Sequence, residues 1–295
     1  MHGIIDLHVH STASDGSMSP SGLVRHAKAS GLEVIALTDH DTVEGVEEAL
    51  REGRSIGLEV LPGIEIGVDF KREMHILGHF DSNDYMNISS RLSFFQENRE
   101  KRNYKVINRL REMGFAITMD EVRKKAEGGI VGRPHIAKVL QEKGYVLSVA
   151  DAFDRYLAYG KPAYFKKDKL TPREGIEEIA RAGGVAVLAH PILLNFQLQE
   201  LDKLLEELAS YGLKGIEAYY TDNTGYFTRK TIEFAEKHKL LVTGGTDFHG
   251  TFKPDIKIGK GYGNLTVPYK LLQELKKAIS EAKKEALKET KEANV

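Results

Sequence analysis

The chain carries eleven histidines and no cysteine. A lone histidine is usually a surface residue or a satisfied core residue. His2, His26 and His238 fit that description, the first terminal and the others beside charged neighbours in helical stretches. Six others do not. His8, His10, His40, His75, His190 and His249 each fall at, near or just beyond the C-terminal end of a segment that reads as a β-strand. Glu65 and Asp247 fall in equivalent places, and Asp15 lies in the first loop. Brought together, these residues would form a costly charged cluster unless divalent cations offset the charge. With no thiolate available, any metal must be held by His, Asp and Glu. So many donors exceed the needs of one ion of roughly four to six ligands and suit two or three. Two cations sharing a carboxylate acidify water enough to hold a hydroxide at neutral pH, and that hydroxide is a nucleophile for phosphorus. A third cation can bind non-bridging phosphate oxygens.

Positioning these side chains is the task of the elements. In "DLHVHSTASDG" (6–16) the strand period of two places Asp6, His8 and His10 on one face. Strands are expected at 4–10, 34–40, 58–66, 73–80, 186–190, 215–220 and 240–247. Ser19-Pro20 reads as a helix start closed by Gly31, and Asp41 or Thr42 as the cap of a helix running to about Ser55. No helix fits between the third and fourth strands, so a short hairpin-like link is expected there. In "EMHILGHF" (73–80) His75 and His79 share a face with Leu77, and alternation alone does not choose between them. Residues from about 85 to 160 read as helices without a strand. Strand–helix alternation returns at Thr171, whose capping box with Glu174 starts a helix. From Pro268 a Lys/Glu-rich amphipathic helix is expected to cover the fold.

Strands alternating with helices predict an α/β fold with a mostly parallel sheet, a barrel one strand short of the usual eight. The C-terminal strand ends of such a barrel converge on one face. The expected organisation is a barrel in two parts, 1–84 and 162–295, interrupted by a helical insertion at 85–161. A hydrophobic fraction of 41% over 295 residues supports a sizeable core. The net charge of −1 gives no support for a long nucleic acid partner. No apolar run approaches the roughly 20 residues that span a bilayer, and no signal-peptide pattern opens the chain, so a soluble cytoplasmic protein with no membrane partner is expected. The oligomeric state is left open.

The segments "DLHVHSTASDG", "ALTDHDT", "PGIEI", "MHILG", "LAHP" and "GGTDFHG" resemble, in order and across the barrel portion, the PHP (polymerase and histidinol phosphatase) family of metal phosphoesterases. Aspartate in the first loop and the helical insertion resemble the branch containing nucleoside 3′,5′-bisphosphate phosphatases and a 5′-to-3′ exoribonuclease. "GRPHIA" (132–137) and "YGKPAY" (159–164) resemble that branch's insertion. The resemblance implies a distorted, TIM-like (β/α)7 barrel and three divalent metal ions. One would be held by His8, His10, Glu65 and Asp247. A second would share Glu65 and add His75 and His190. A third would use Asp15, His40 and His249. Asp15 stands where many relatives have histidine, and its harder oxygen favours Mn²⁺, with Zn, Fe or Mg as alternatives. His8, His10, Glu65, His190 and Asp247 are the implied catalytic residues.

On the substrate side, Arg133, His135 and Lys161 are the candidates for grasping phosphate, from an insertion that could fold over the barrel mouth as a cap. For Arg133 and His135 the competing role is the helix start in "GRPH", and for Lys161 an exposed loop lysine. Tyr164 and Phe165 could stack a base or pack a core. "KKDK" (166–169) reads as a solvated charged loop. Asp6, Asp39 and Glu217 could each orient an imidazole from outside the metal ligands, or serve strand-end bonding and charge pairing. The expected activity is metal-dependent release of phosphate from a small nucleotide such as a nucleoside 3′,5′-bisphosphate, or trimming of the 5′ end of a short oligonucleotide. The alternatives are a histidinol-phosphate or other phosphomonoester phosphatase and, in a different class, a non-catalytic metal-binding module associated with a polymerase.

Overall fold

A computed structural model describes residues 3–126, 131–165 and 169–293, with side chains for all of these except 90–99 and 289–293. Seven strands, β1 (Ile4–Val9), β2 (Leu32–Leu37), β3 (Glu59–Val68), β4 (Met74–His79), β5 (Val185–Leu188), β6 (Gly215–Tyr220) and β7 (Leu241–Gly245), form one sheet in sequence order. The sheet closes where Val9 bridges Phe248 in parallel and the Asp247 N–H donates to the His8 carbonyl at 2.9 Å. Closure needs a bare backbone at Gly245, because a Cβ there would stand 2.4 Å from the Cβ of His8. The result is a nearly closed seven-stranded barrel of α/β type.

The helices are α1 (Pro20–Ala29), α2 (Val46–Ile56), α3 (Ser89–Glu112), α4 (Met119–Lys125), α5 (Arg133–Glu142), α6 (Val149–Ala152), α7 (Pro172–Arg181), α8 (Leu198–Ser210), α9 (Gly225–His238) and α10 (Tyr269–Ala293). Alternation along the strands sorts two cores. Ile35, Leu37, Ile64, Ile76, Leu188 and Ile216 face outward and pack with Leu23 and Val24 of α1, Leu50 of α2, Ile179 of α7 and Leu205 of α8. The intervening Val34, Ala36, Leu61, Leu77, Val185 and Val187 pack instead with Leu271, Leu272, Leu275 and Ile279 of α10. The C-terminal helix is thus a plug on one end of the barrel, which is why its apolar stripe recurs every three to four residues. Between β4 and β5 the chain builds a third apolar cluster of its own, from Val106, Leu110, Val122, Ile136, Leu140 and Leu157 among others.

Three local expectations are corrected. The β1–β2 register runs Asp6↔Ile35 and then Val9↔Leu37, so β1 carries one extra residue between those pairs. A one-residue slip exchanges faces. Asp6 therefore lies on the Ile35 side while His8 enters the barrel, and the two do not share a face. The helix expected from Asp41 or Thr42 starts only at Val46, because Asp41 takes a left-handed φ of 54° and the Thr42 hydroxyl accepts from the Glu44 N–H. Lastly, β4 runs antiparallel to both neighbours. The hairpin-like link expected between β3 and β4 is there, but it reverses β4 within an otherwise parallel sheet. His75 stands near the start of its strand rather than at its C-terminal end, and the reversal brings that start to the C-terminal ends of the parallel strands.

Candidate metal centre

The reversal of β4 settles which histidine joins the others. Register pairs His75 with Gly67, beyond Glu65, and pairs His79 with Gly63, on the far side of Leu77. His75 thus meets the C-terminal ends of the parallel strands, and His79 sits deeper in the barrel. There His79 is buried, neither ring nitrogen has a hydrogen-bond partner among the described residues, and burial pushes its pKa down to about 3. It is a neutral packing residue.

Glu65 stands at the middle of the cluster, fully buried. Its Oε1 lies 2.8 Å from His75 Nδ1 and 2.9 Å from His190 Nε2. Its Oε2 lies 3.2 Å from His10 Nε2, 3.2 Å from His40 Nδ1 and 3.3 Å from His8 Nε2. The two oxygens of one carboxylate therefore face two different sets of imidazoles, the arrangement of a bridging ligand. Asp247 adds Oδ1 at 3.1 Å from His10 Nε2 and 3.3 Å from His249 Nδ1. Its other oxygen is held by the Tyr220 hydroxyl at 3.1 Å and by Lys253 Nζ at 2.7 Å. Asp15 approaches His249 Nε2 at 3.2 Å and lies 3.9 Å from both His10 Nδ1 and His40 Nε2.

Among the described residues three groups of donors converge so that, within each group, the ligand atoms all lie within 4.8 Å of one another: His8, His10, Glu65 and Asp247; His10, Asp15, His40 and His249; and His40, Glu65 and His75. The first coincides with one implied ligand set. The second contains the implied third set, with His10 added. In the remaining group His40 appears, while His190 reaches the same Glu65 oxygen as His75. His40 faces two neighbourhoods, through Nδ1 toward Glu65 and through Nε2 toward Asp15.

Electrostatics explains how such a cluster survives burial. Burial opposes ionisation of Asp15, Glu65 and Asp247, yet the surrounding imidazoles outweigh it and hold all three well below the usual carboxylate range. Burial likewise opposes protonation of His8, His10 and His75. The facing carboxylates raise His8 well above its ordinary value and lift His10 and His75 to about 9. Burial wins at His40, which falls to about 3. Positive charge on His8, His10 and His75 thus offsets the buried carboxylates, a role that divalent cations would take over. The buried His10 Nδ1 and Glu65 Oε2 have no aligned hydrogen-bond partner among the described residues. Donors that converge without satisfying one another fit metal coordination, and an all-nitrogen-and-oxygen set suits a hard or borderline divalent ion.

The outer carboxylates divide. Asp6 bonds no imidazole; it accepts from Thr246, from the Gly259 N–H at 2.8 Å and from the His8 backbone, and burial raises it to about 6. Asp39 accepts from the Ser11 N–H at 2.7 Å, the Ser11 hydroxyl and the Ser14 hydroxyl, and so ties down the loop that carries Asp15. Glu217 alone touches a ring, at 3.0 Å from His8 Nδ1.

The substrate-side candidates are less uniform. His135 is buried, and its Nδ1 accepts from the Gly132 N–H at 3.0 Å, which is the helix-start role. Arg133 donates to the Leu157 carbonyl at 2.9 Å and lies over the rings of Phe153 and Tyr164. Lys161 is exposed on the turn after Leu157. A residue that the sequence placed in a solvated loop turns inward instead. Lys169 is half-buried, and its Nζ lies 3.5 Å from the point where a Gly67 Cβ would stand, beside the His75 ring. Burial lowers its pKa, and Glu73 and Asp41 counter that. Glu73, 3.7 Å from His75 Nε2, is depressed to about 2 by His75, with Lys169 and Arg133 adding to the effect. The signal for Lys169 was weak: Leu170 follows it, and the Asp69 N–H donates to the Leu170 carbonyl at 2.6 Å, returning the chain to the barrel rim. Lys166, Lys167 and Asp168 lie outside the described residues.

Comparison with known proteins agrees with the geometry. The chain is 34% identical over 245 residues to a 5′-3′ exoribonuclease of Haemophilus influenzae, covering 83% of this chain and 89% of that one. It is 30% identical over 247 residues to a 3′,5′-nucleoside bisphosphate phosphatase of Chromobacterium violaceum, covering 83% and 87%. A Bifidobacterium adolescentis protein whose crystal structure is described as that of a metal-dependent phosphoesterase superposes with a TM-score of 0.80 at 32% identity, over 93% of this chain and 96% of that one. Residues 6–170 match the PHP domain. With the ring of histidines gathered around one buried glutamate, these likenesses establish that the chain belongs to the PHP family and is a metal-dependent phosphoesterase.

Proposed function

We propose that this phosphoesterase acts on the terminal phosphate of a small nucleotide, a nucleoside 3′,5′-bisphosphate or the 5′ end of a short oligonucleotide. The observation that carries the reading is Glu65, whose two oxygens face separate sets of histidines at the middle of the cluster. His8, His10, Glu65 and Asp247 would hold one divalent ion, Glu65, His75 and His190 a second, and Asp15, His40 and His249 a third, with Mn²⁺ favoured. Such ions supply an acidified water for attack on phosphorus and neutralise phosphate oxygens. The chain's own contribution is to fix the donors in a largely buried cluster, with Asp247 clamped by Tyr220 and Lys253. Lys169, with Arg133 near enough to act on Glu73, supplies positive charge beside His75, where a phosphate would be gripped. Residues 85–161 serve as a cap over the barrel formed by 1–84 and 162–295. The substrates named for the Haemophilus and Chromobacterium relatives support this choice over histidinol phosphate or a non-catalytic module.

The test is phosphate release from adenosine 3′,5′-bisphosphate, and nucleotide release from a 5′-phosphorylated short RNA, by protein stripped with EDTA and reloaded with Mn²⁺. Histidinol phosphate serves as comparison, and bound metal is counted in parallel. Mn²⁺-dependent hydrolysis of either nucleotide substrate, well above histidinol phosphate, is the expected result. Tight metal binding with hydrolysis of histidinol phosphate alone would move the substrate elsewhere, and a protein that binds no divalent metal would end the reading altogether.

A further inference from the structure

We infer that Glu217 is a positioning residue that couples two of the metal subsites through one carboxylate, a role that rests on the metal-site reading above. Glu217 lies on β6, fully buried. Its Oε1 stands 3.0 Å from His8 Nδ1, and its Oε2 accepts from the His190 backbone N–H at 2.7 Å. Each oxygen therefore serves a different subsite.

The first bond sets a tautomer. A carboxylate oxygen accepts and cannot donate, so His8 Nδ1 must carry the hydrogen. In neutral His8 that leaves Nε2 with a free lone pair, and Nε2 is the nitrogen that points at Glu65, His10 and Asp247. The second bond holds a backbone. His190 adopts φ 27° and ψ 60°, a conformation that a side-chain-bearing residue takes only when its surroundings enforce it. Its N–H is pinned by Glu217 while its ring delivers Nε2 to Glu65 at 2.9 Å. Released, His190 could relax toward an ordinary conformation and swing the ring away. The His8 and His190 rings lie stacked with centroids 5.7 Å apart, so the two subsites that this carboxylate serves adjoin one another.

Glutamine at this position keeps the shape but not the acceptor pair. If its oxygen faces His8, its NH₂ meets the His190 N–H, donor against donor. If its NH₂ faces His8, the ring must protonate at Nε2 and lose its ligand lone pair. Glutamine can therefore serve one subsite or the other, but not both at once.

The experiment is a Mn²⁺ titration of metal-free wild-type and Glu217→Gln protein, with free Mn²⁺ followed by electron paramagnetic resonance and thermal unfolding recorded alongside. The expected result is a variant that still unfolds cooperatively without metal, with Mn²⁺ affinity weakened about 10- to 100-fold for one of the ions that wild type binds tightly. Wild-type protein that binds Mn²⁺ tightly, with a Glu217→Gln isotherm that overlays it, would overturn the role of Glu217 and leave the metal site standing. Wild-type protein that binds no Mn²⁺ would overturn both. A variant that does not fold shifts the decision to Zn²⁺-loaded wild type, where ¹⁵N spectra of the His8 ring, assigned by its loss in His8→Asn, must show a hydrogen on Nδ1. A hydrogen on Nε2 instead would refute the proposal.

Discussion

Histidines eight and ten belong together because of what they face, not because they are two apart. His10 Nε2 lies within 3.2 Å of both Glu65 and Asp247, so its removal opens the centre of the cluster. His10→Ala is expected to abolish turnover almost completely while circular dichroism and Tm show a folded protein; full activity in a Mn²⁺-replete variant would contradict the ligand assignment. Lys169 was invisible in its charged tract, because exposure cannot be read from "KKDK". Lys169→Gln should raise KM about tenfold or more with a smaller change in kcat, the cost of one charge-assisted contact to phosphate. An unchanged KM would confine Lys169 to pairing with Glu73. His135 shows a role that residue type alone does not reveal: helix starts need an acceptor, and the Gly132 N–H donates to its Nδ1.

At the scale of elements, most strands were legible because apolar runs and period-two patterns are local. Their directions were not. The link between β3 and β4 read as a short turn, and a turn of that kind returns the chain antiparallel. The consequence, that His75 rather than His79 meets the C-terminal ends of the parallel strands, follows only from the register with β3. The extra residue in β1 was equally hidden, since a bulge is defined by the partner strand's register and leaves no mark in β1 alone. Tight closure is one element-level feature with a sharp test. Gly245→Ala would drive a Cβ to 2.4 Å from the His8 Cβ and 2.5 Å from the His8 backbone nitrogen. Backbone on one side cannot yield cheaply, so urea denaturation should show a loss of about 1–3 kcal/mol or more, with weakened metal binding through His8. An unchanged midpoint would mean that the barrel seam is slack.

Across the whole molecule, the two ends of the barrel do opposite work. One is plugged by α10, whose Leu275 is fully buried against the interior layer. Leu275→Ala should cost about 2–5 kcal/mol in unfolding free energy without altering the metal ligands, and a loss under about 1 kcal/mol would mean that α10 merely lies on the surface. The other end holds the charge cluster, which gives the metal-free protein a characteristic pH response. His10 and His75 have folded values of about 9, above their ordinary 6.5. Their pairing therefore stabilises fully below about pH 6.5 and is lost as pH rises through 9. The Tm of metal-free protein should fall over that window. Metal binding must displace the same protons, so Mn²⁺ affinity should rise with pH and the loaded protein's Tm should be flatter. Parallel Tm–pH curves with and without metal would disprove the exchange. Among the described residues no helix is long and apolar enough to cross a membrane.

By itself the sequence determined the donor chemistry and the α/β plan. Residue types set which ions can be held, and periodicity set most of the strands and helices, because both are properties of short segments. Tertiary structure alone decided that Glu65 splits its oxygens between two groups of rings, that β4 presents His75 and buries His79, and that Glu217 joins His8 to His190 across 209 and 27 residues of chain. Those are statements about direction, register and the aim of a side chain. They depend on strands far apart in sequence lying side by side, and no local pattern encodes them.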